Sequence, residues 1–366
     1  MKIASIEAIA VDLPMIRPMK MAGVVIHQAE NVVVKITSEC GIVGWGEAAS
    51  APTMTGETVP GICAAVELLA ERLLSTELDL ALLPQQMKSW LYGNSSAKAA
   101  IDMAAHDLVG RKLNKPVHAL LGPAVRDSVQ VLWLLGTGSK ASDLLEAQTK
   151  YDEGIRALKV KVGTGPVELD IDRTRAVRAL LPRDAWLCAD ANQGWQVEDA
   201  CRFVREAGDC LEFLEQPIHG EDLSGMSRVS SASKTRIGID EGLHKLADLS
   251  HHQHAAAASG CSLKAIKLGS LSEVLRAGQW CSKNFWGVNL ACKIAESGIS
   301  TAAVLHLGAV LPTLDWGVSL SNQYLADDII SNKLEIRDGR AHIPSGPGLG
   351  INVDEERIRY YQRKLR

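Results

Sequence analysis

From residue 128 onward the chain repeats one unit: a short apolar run closed by a polar residue, then a charged stretch of helical character. The runs are SVQVLWLLG, ALKVKVG, AWLCADANQ, LEFLEQP, TRIGIDEG, LKAIKLG, WGVNLACK and PTLDWGV. Five of them close on Lys161, Asp190, Glu215, Asp240 and Lys267, spaced by about 25 to 30 residues, the length of one βα unit. Eight such strands joined through helices predict a parallel TIM barrel. Residues 320 to 366 add no further βα unit, and IPSGPGLGI is rich in turn formers. The barrel is therefore expected in its (β/α)7β form.

The first 125 residues follow other rules. NVVVKI and GIVGWGEA flank a turn at Cys40-Gly41, which predicts an antiparallel sheet. In SAKAAIDMAAHDLVGRKL, Ile101, Ala105, Leu108 and Val109 fall at helical spacing, and NKP ends the segment. The expected division is an α+β unit over 1–125, the barrel over 126–320, and a segment over 321–366 that packs back on the first unit.

Composition excludes several classes of function. The formal charge is -4 with no basic runs, so there is no electrostatic footprint for nucleic acid or a membrane surface. Glu7 and Asp12 interrupt the apolar start, and nothing downstream approaches the roughly 18 apolar residues of a membrane span. Eight cysteines without a C-x-x-C pair read as reduced core residues of a cytoplasmic protein. The expected partner is a small carboxylate, and the expected assembly a homo-oligomer.

The chemistry sits in the residues that close the strands. In a barrel these converge on one mouth. Asp190, Glu215 and Asp240 end neighbouring strands, and three converging carboxylates cannot all stay ionised without a cation. An all-oxygen donor set favours Mg²⁺, with Mn²⁺ as a substitute. Lys161 and Lys267, on strands two and six, are predicted to face each other across the mouth, on either side of a substrate α-carbon. That arrangement suits proton transfer beside a carboxylate. Lys159 lies two residues before Lys161, on the same side of the strand, and is expected to tune it.

Other features have blander readings. HHQH, with His251, His252 and His254, reads as a solvated helix, and Asp102 and His106, one turn apart, as packing partners. GTGSKA, residues 136 to 141, matches the G-x-G-x-x-A dinucleotide fingerprint between a strand and a helix. A nicotinamide dehydrogenase would need an acidic residue closing the next strand, which instead ends in Lys159 and Lys161.

The set KVK, DAN, EQP, DEG and KLG on successive strands resembles the enolase superfamily, within it the muconate lactonising enzyme subgroup. GNSSAKAAIDMAAHDL, RKLNKPVHALLG and PGLGINVDEERI are similar to muconate cycloisomerases, so the resemblance covers nearly the whole chain. It implies metal ligands at Asp190, Glu215 and Asp240, an acid/base pair at Lys161 and Lys267, and supporting roles for Asn192 and Glu241. It also implies that the first unit caps the barrel, with loops around residues 15–27 and 48–58 closing over the substrate, and that Glu296 lines the pocket. The implied reaction is lactonisation; a racemase, epimerase or dehydratase would use the same intermediate. One position departs from the pattern. Muconate cycloisomerases carry an acid near the end of strand eight, where this chain has Gly317, Val318 and Ser319 after Trp316. The D-x-D pair of similar dipeptide epimerases is also missing, since Asp315 stands alone.

Overall fold

The computed structural model describes residues 1–21, 23–74, 76–136 and 138–363. Three antiparallel strands open the chain: β1 (Ile3–Met21), β2 (Val24–Ser38) and β3 (Val43–Ala49). The helix Ser95–Leu113 packs on this sheet and is buried over most of its length, its small Ala residues allowing close approach while Lys98, Asp102, His106 and Asp107 are buried with them.

A barrel follows. The first run, SVQVLWLLG, divides into two short strands. β4 (Ser128–Gln130) pairs antiparallel with a hairpin from the tail, and β5 (Leu132–Leu135) enters the barrel. The ring continues through β6 (Ala157–Lys161), β7 (Trp186–Asp190), β8 (Phe213–Glu215), β9 (Arg236–Ile239), β10 (Gly260–Leu263), β11 (Gly287–Ala291) and β12 (Val318–Ser319), each parallel to the one before. A parallel bridge between Val131 and Val318 joins its two ends. Helices lie between successive strands, whereas β12 runs into a short 3₁₀ turn at Asn322–Tyr324. This is the (β/α)7β form.

Inward-facing residues recur every second position. At the lower end Leu132, Ala157, Cys188, Phe213 and Trp316 form a dry layer, with the Phe213 and Trp316 rings stacked at 3.9 Å. Trp316 has room because Gly238, Gly260 and Gly287 stand opposite it; a Cβ on Gly260 would lie 2.1 Å from its ring.

The tail returns across both units. Its hairpin, β13 (Ile336–Arg337) and β14 (Arg340–His342), extends β4. Its helix Glu355–Tyr361 lies against β1, with Lys35 bonded to Glu355 and Arg363 paired with Asp12. Buried carboxylates join cap to barrel: Asp102 accepts the Leu271 backbone N–H at 2.8 Å, and Glu47 accepts that of Ser297 at 3.0 Å. Each meets the start of a barrel helix, where unsatisfied N–H groups favour an anion. Asp102 also sits 3.4 Å from His106, so that pair is structural.

The eight cysteines are free thiols, six of them buried. Among the described residues no helix is long and apolar enough to cross a membrane. The histidines of HHQH end the helix Leu246–His254. In GTGSKA, Thr137 lies outside the described residues, and the strand after it ends in the two lysines as read from sequence.

Candidate active site

The strand ends open into a cavity of about 560 Å³ between barrel and cap. Its floor carries Lys159, Lys161, Asp190, Glu215 and Lys264, and its roof Met21, Ile26, His27, Pro52, Thr53 and Met54. The roof residues come from the β1–β2 tip and the loop after β3, the segments expected to close over substrate; Ala22, within the first, lies outside the described residues.

Strand register sets the floor. Lys161 pairs with Asp190, and Asp190 with Glu215, on adjacent strands. Lys161 Nζ donates to Asp190 Oδ2 and to Asn192 Oδ1, both at 2.5 Å. Asn192 in turn donates to Glu241 Oε1 at 3.0 Å. Burial pushes Glu241 up to about 7, and the charges of Asp240 and Asp190 add to the shift. Lys159 is bonded to Glu215. Burial alone would lower the Lys159 pKa, but Glu215 and Asp190 outweigh it and hold the ammonium charged. Lys159 is thus paired with a carboxylate on the next strand but one.

Strand six differs from the sequence expectation. It ends at Leu263, and Lys267 falls in a short helix, Ala265–Leu268, beyond it. The inward alternation on this strand runs Gly260, Ser262, Lys264, so Lys264 reaches the cavity. Lys267 instead lines a separate cleft with Lys98 and His244. Both lysines bond Asp240, Lys264 at Oδ2 and Lys267 at Oδ1 (2.5 Å). Burial would raise the Asp240 pKa, yet the two ammonium groups drive it far below the usual carboxylate range. Lys264 was legible in GCSLK as the residue in phase with the inward face; taking LKAIKLG as the strand shifted that phase.

Glu296 is buried behind the cavity wall, where Oε2 accepts the Lys293 backbone N–H at 2.9 Å. Ser319 does line the cavity. A polar chain links it to the floor: Ser262 Oγ donates to Glu215 Oε1 at 2.7 Å and lies 3.1 Å from Asn289 Oδ1, and Asn289 Nδ2 donates to Ser319 Oγ at 3.3 Å.

Among the described residues no three acidic, histidine or cysteine side chains stand close enough to form a finished cation site. Each of the three carboxylates is turned onto a lysine. The donor set nevertheless fits a hard divalent ion. Burial raises the Glu215 pKa, with repulsion from Asp190 next and a further share from Asp240, so the three charges already strain against one another.

Fold and floor together define a barrel enzyme built for chemistry beside a carboxylate. Residues 143–357 match the family model described as enolase C-terminal domain-like. Residues 5–122 match the mandelate racemase / muconate lactonizing enzyme N-terminal domain. The chain belongs to the enolase superfamily, in its muconate lactonizing enzyme subgroup, a metal-dependent family of enzymes. It is 31% identical to the chloromuconate cycloisomerase CbnB of Cupriavidus necator, over 99% of this chain and 100% of that one. It is 28% identical to the L-Ala-D/L-Glu epimerase of Bacillus subtilis, over 96% and 97%. The muconate lactonizing enzyme of Pseudomonas fluorescens, solved with muconolactone, superposes with a TM-score of 0.94 at 31% identity, covering 99% of each chain.

Proposed function

We propose that this protein is a Mg²⁺-dependent isomerase of the muconate cycloisomerase type, acting in the cytoplasm as a homo-oligomer. The observation that carries the reading is the arc of charged residues at the C-terminal ends of five consecutive strands: Lys161, Asp190, Glu215, Asp240 and Lys264. On this reading 1–125 is the cap, 126–320 the barrel and 321–366 the segment that completes the cap.

Asp190, Glu215 and Asp240 would hold the metal, which supplies positive charge for the substrate carboxylate as it takes on enediolate character. The cavity's cap residues exclude water from the reacting carbons. In lactonisation the distant carboxylate forms a C–O bond to the far carbon of the double bond, and the displaced π pair moves toward the metal-side carboxylate. Lys161 then delivers a proton to the α-carbon from one face, and solvent restores it. Lys159 holds Glu215 in place, while Asn192 and Glu241 orient Lys161. Lys264 stands on the other side of the carboxylates, where it stabilises the developing charge.

Racemisation is the second reading, favoured by the neutral Ser319 on strand eight and by a lysine on each side of the carboxylates. The test presents cis,cis-muconate, and separately a panel of N-acylated and N-methylated amino acids, to the Mg²⁺-loaded protein. Chelator-sensitive lactone formation is expected. Racemisation of a panel member with muconate untouched would overturn lactonisation and leave the proton chemistry standing.

A further inference from the structure

Strand seven supplies a charge that the chemistry above does not use. Its inward alternation runs Gly287, Asn289, Ala291 and, one step beyond the strand, Lys293. Lys293 lines the same cavity as Lys161 and Lys264 and is half-buried in its wall. Every other lysine on that wall is bonded to a carboxylate: Lys159 to Glu215, Lys161 to Asp190 and Lys264 to Asp240. Among the described residues none forms a hydrogen bond or ion pair with the Lys293 ammonium. Its backbone, by contrast, is fixed, since its N–H is held by the buried Glu296 carboxylate.

The neighbouring strand end is neutral. Ala291 pairs with Ser319, the Cys292 N–H bonds the Ser319 carbonyl at 2.9 Å, and Ser319 lines the same cavity as Lys293, its hydroxyl bonded to Asn289. An acid at position 319 would repel an anion there or neutralise the lysine; a serine does neither.

We propose that Lys293 is a specificity-determining residue, the subsite at the end of strand seven that holds the substrate's second anionic group while the first carboxylate lies at the floor. This rests on the reading of the floor as the site that takes the first carboxylate. Glu296 and Glu30 attract the Lys293 ammonium without forming an ion pair with it, so a half-buried charge of this kind gains most when an anion bonds it directly. Burial lowers its pKa to about 8, against the pull of Glu296, so it remains mainly protonated at neutral pH and an incoming carboxylate reinforces the charge. A substrate carrying an ammonium at that end would meet repulsion.

The test uses two unreactive six-carbon probes, adipate and hexanoate, titrated calorimetrically into the Mg²⁺-loaded protein, wild type and Lys293→Met. Adipate is expected to bind wild type about 10- to 100-fold more tightly than hexanoate, the range for a charge-assisted hydrogen bond. In Lys293→Met the ratio should fall toward one, with hexanoate unchanged; Lys293→Arg should keep most of it. Equal binding of the two probes by wild type, or a ratio that survives in both Lys293→Met and Lys293→Gln, overturns the subsite. Neither probe can lactonise, so a protein that discriminates between them yet leaves muconate untouched would refute the cycloisomerase reading alone. If hexanoate fails to bind while adipate binds through Lys293 without Mg²⁺, the floor assignment fails instead.

Discussion

The mouth of the barrel has two arcs built by the same two-residue alternation, with opposite electrostatics. Along β6 to β10 each buried charge meets its complement: Lys159 meets Glu215, Lys161 meets Asp190, and Lys264 and Lys267 share Asp240. Along β11 and β12 the ammonium of Lys293 forms no ion pair among the described residues, Glu296 and Glu30 acting on it only from a distance, and Ser319 and Asn289 are neutral. The difference teaches what each arc can tolerate. In the matched arc a single substitution leaves an uncompensated buried ion, at a cost of about 3–5 kcal/mol, so its residues are bound to one another as a set. The second arc has no such ion pairs: its neutral polar chain through Asn289 ties Ser319 to Ser262, but Lys293 can change without stranding a bonded partner charge. The first arc therefore carries the reaction class, and the second carries the choice of substrate.

The most direct way to break this comparison is at Asp240, which alone neutralises two lysines. Asp240→Asn should reduce Mg²⁺-dependent turnover to background and lower the melting temperature, while far-UV circular dichroism still reports a folded barrel. Exhaustive chelation of the wild-type protein should give the same loss of turnover. Full activity in either case would mean that the matched arc is a structural ion network and not a metal site.

A smaller and more selective effect separates the two lysines that follow strand six. Exchange of the substrate α-proton in heavy water, followed by NMR, should be lost from one face in Lys161→Ala. Rates in Lys161→Ala and Lys264→Ala should fall by about 10²–10⁴, the usual range for removing an acid/base or charge-stabilising group. Lys267→Ala should retain exchange on both faces and show its defect as weaker Mg²⁺ affinity, because Lys267 reaches Asp240 from the far side of the cavity floor. If Lys267→Ala abolished exchange and Lys264→Ala did not, the in-phase argument for strand six would be wrong and the sequence-based pairing of Lys161 with Lys267 would be restored.

That swap shows where sequence reasoning reached and where it stopped. The barrel was legible because Asp190, Glu215 and Asp240 recur one βα unit apart on strands whose apolar character no surface element would have. Strand six was misplaced by one turn because LKAIKLG is as apolar as the true strand GCSL, and a short apolar run does not declare whether it is strand or helix. Only parallel pairing of Gly260 with Gly287 and Gly238 fixes the phase. SVQVLWLLG read as one strand because its division depends on a hairpin about 200 residues away in sequence, which local pattern cannot register. The free ammonium of Lys293 was hidden for a related reason, since the lack of a partner is a property of three-dimensional surroundings. The same holds for Glu296, whose place behind the wall is set by a backbone contact.

The smallest effect on chemistry is expected below the mouth, where both arcs rest on the same support. Trp316 fills the lower end of the barrel, stacked on Phe213 from the matched arc and seated against Gly287 from the other. A methyl group on Gly260 would lie 2.1 Å from the Trp316 ring, and the ring is held between layers and cannot swing away. Gly260→Ala should therefore destabilise the fold by about 1–3 kcal/mol through overpacking. Turnover per folded molecule should change little, because Ser262 and Lys264 lie above it on the same face. Trp316→Phe in the same chain removes the ring atoms nearest position 260 and should recover part of the loss, a coupling that chemical denaturation of the two single variants and the double variant would measure. A fall in kcat as large as that of Lys264→Ala would show that the plug transmits strain to the floor, and that the two arcs are not independent.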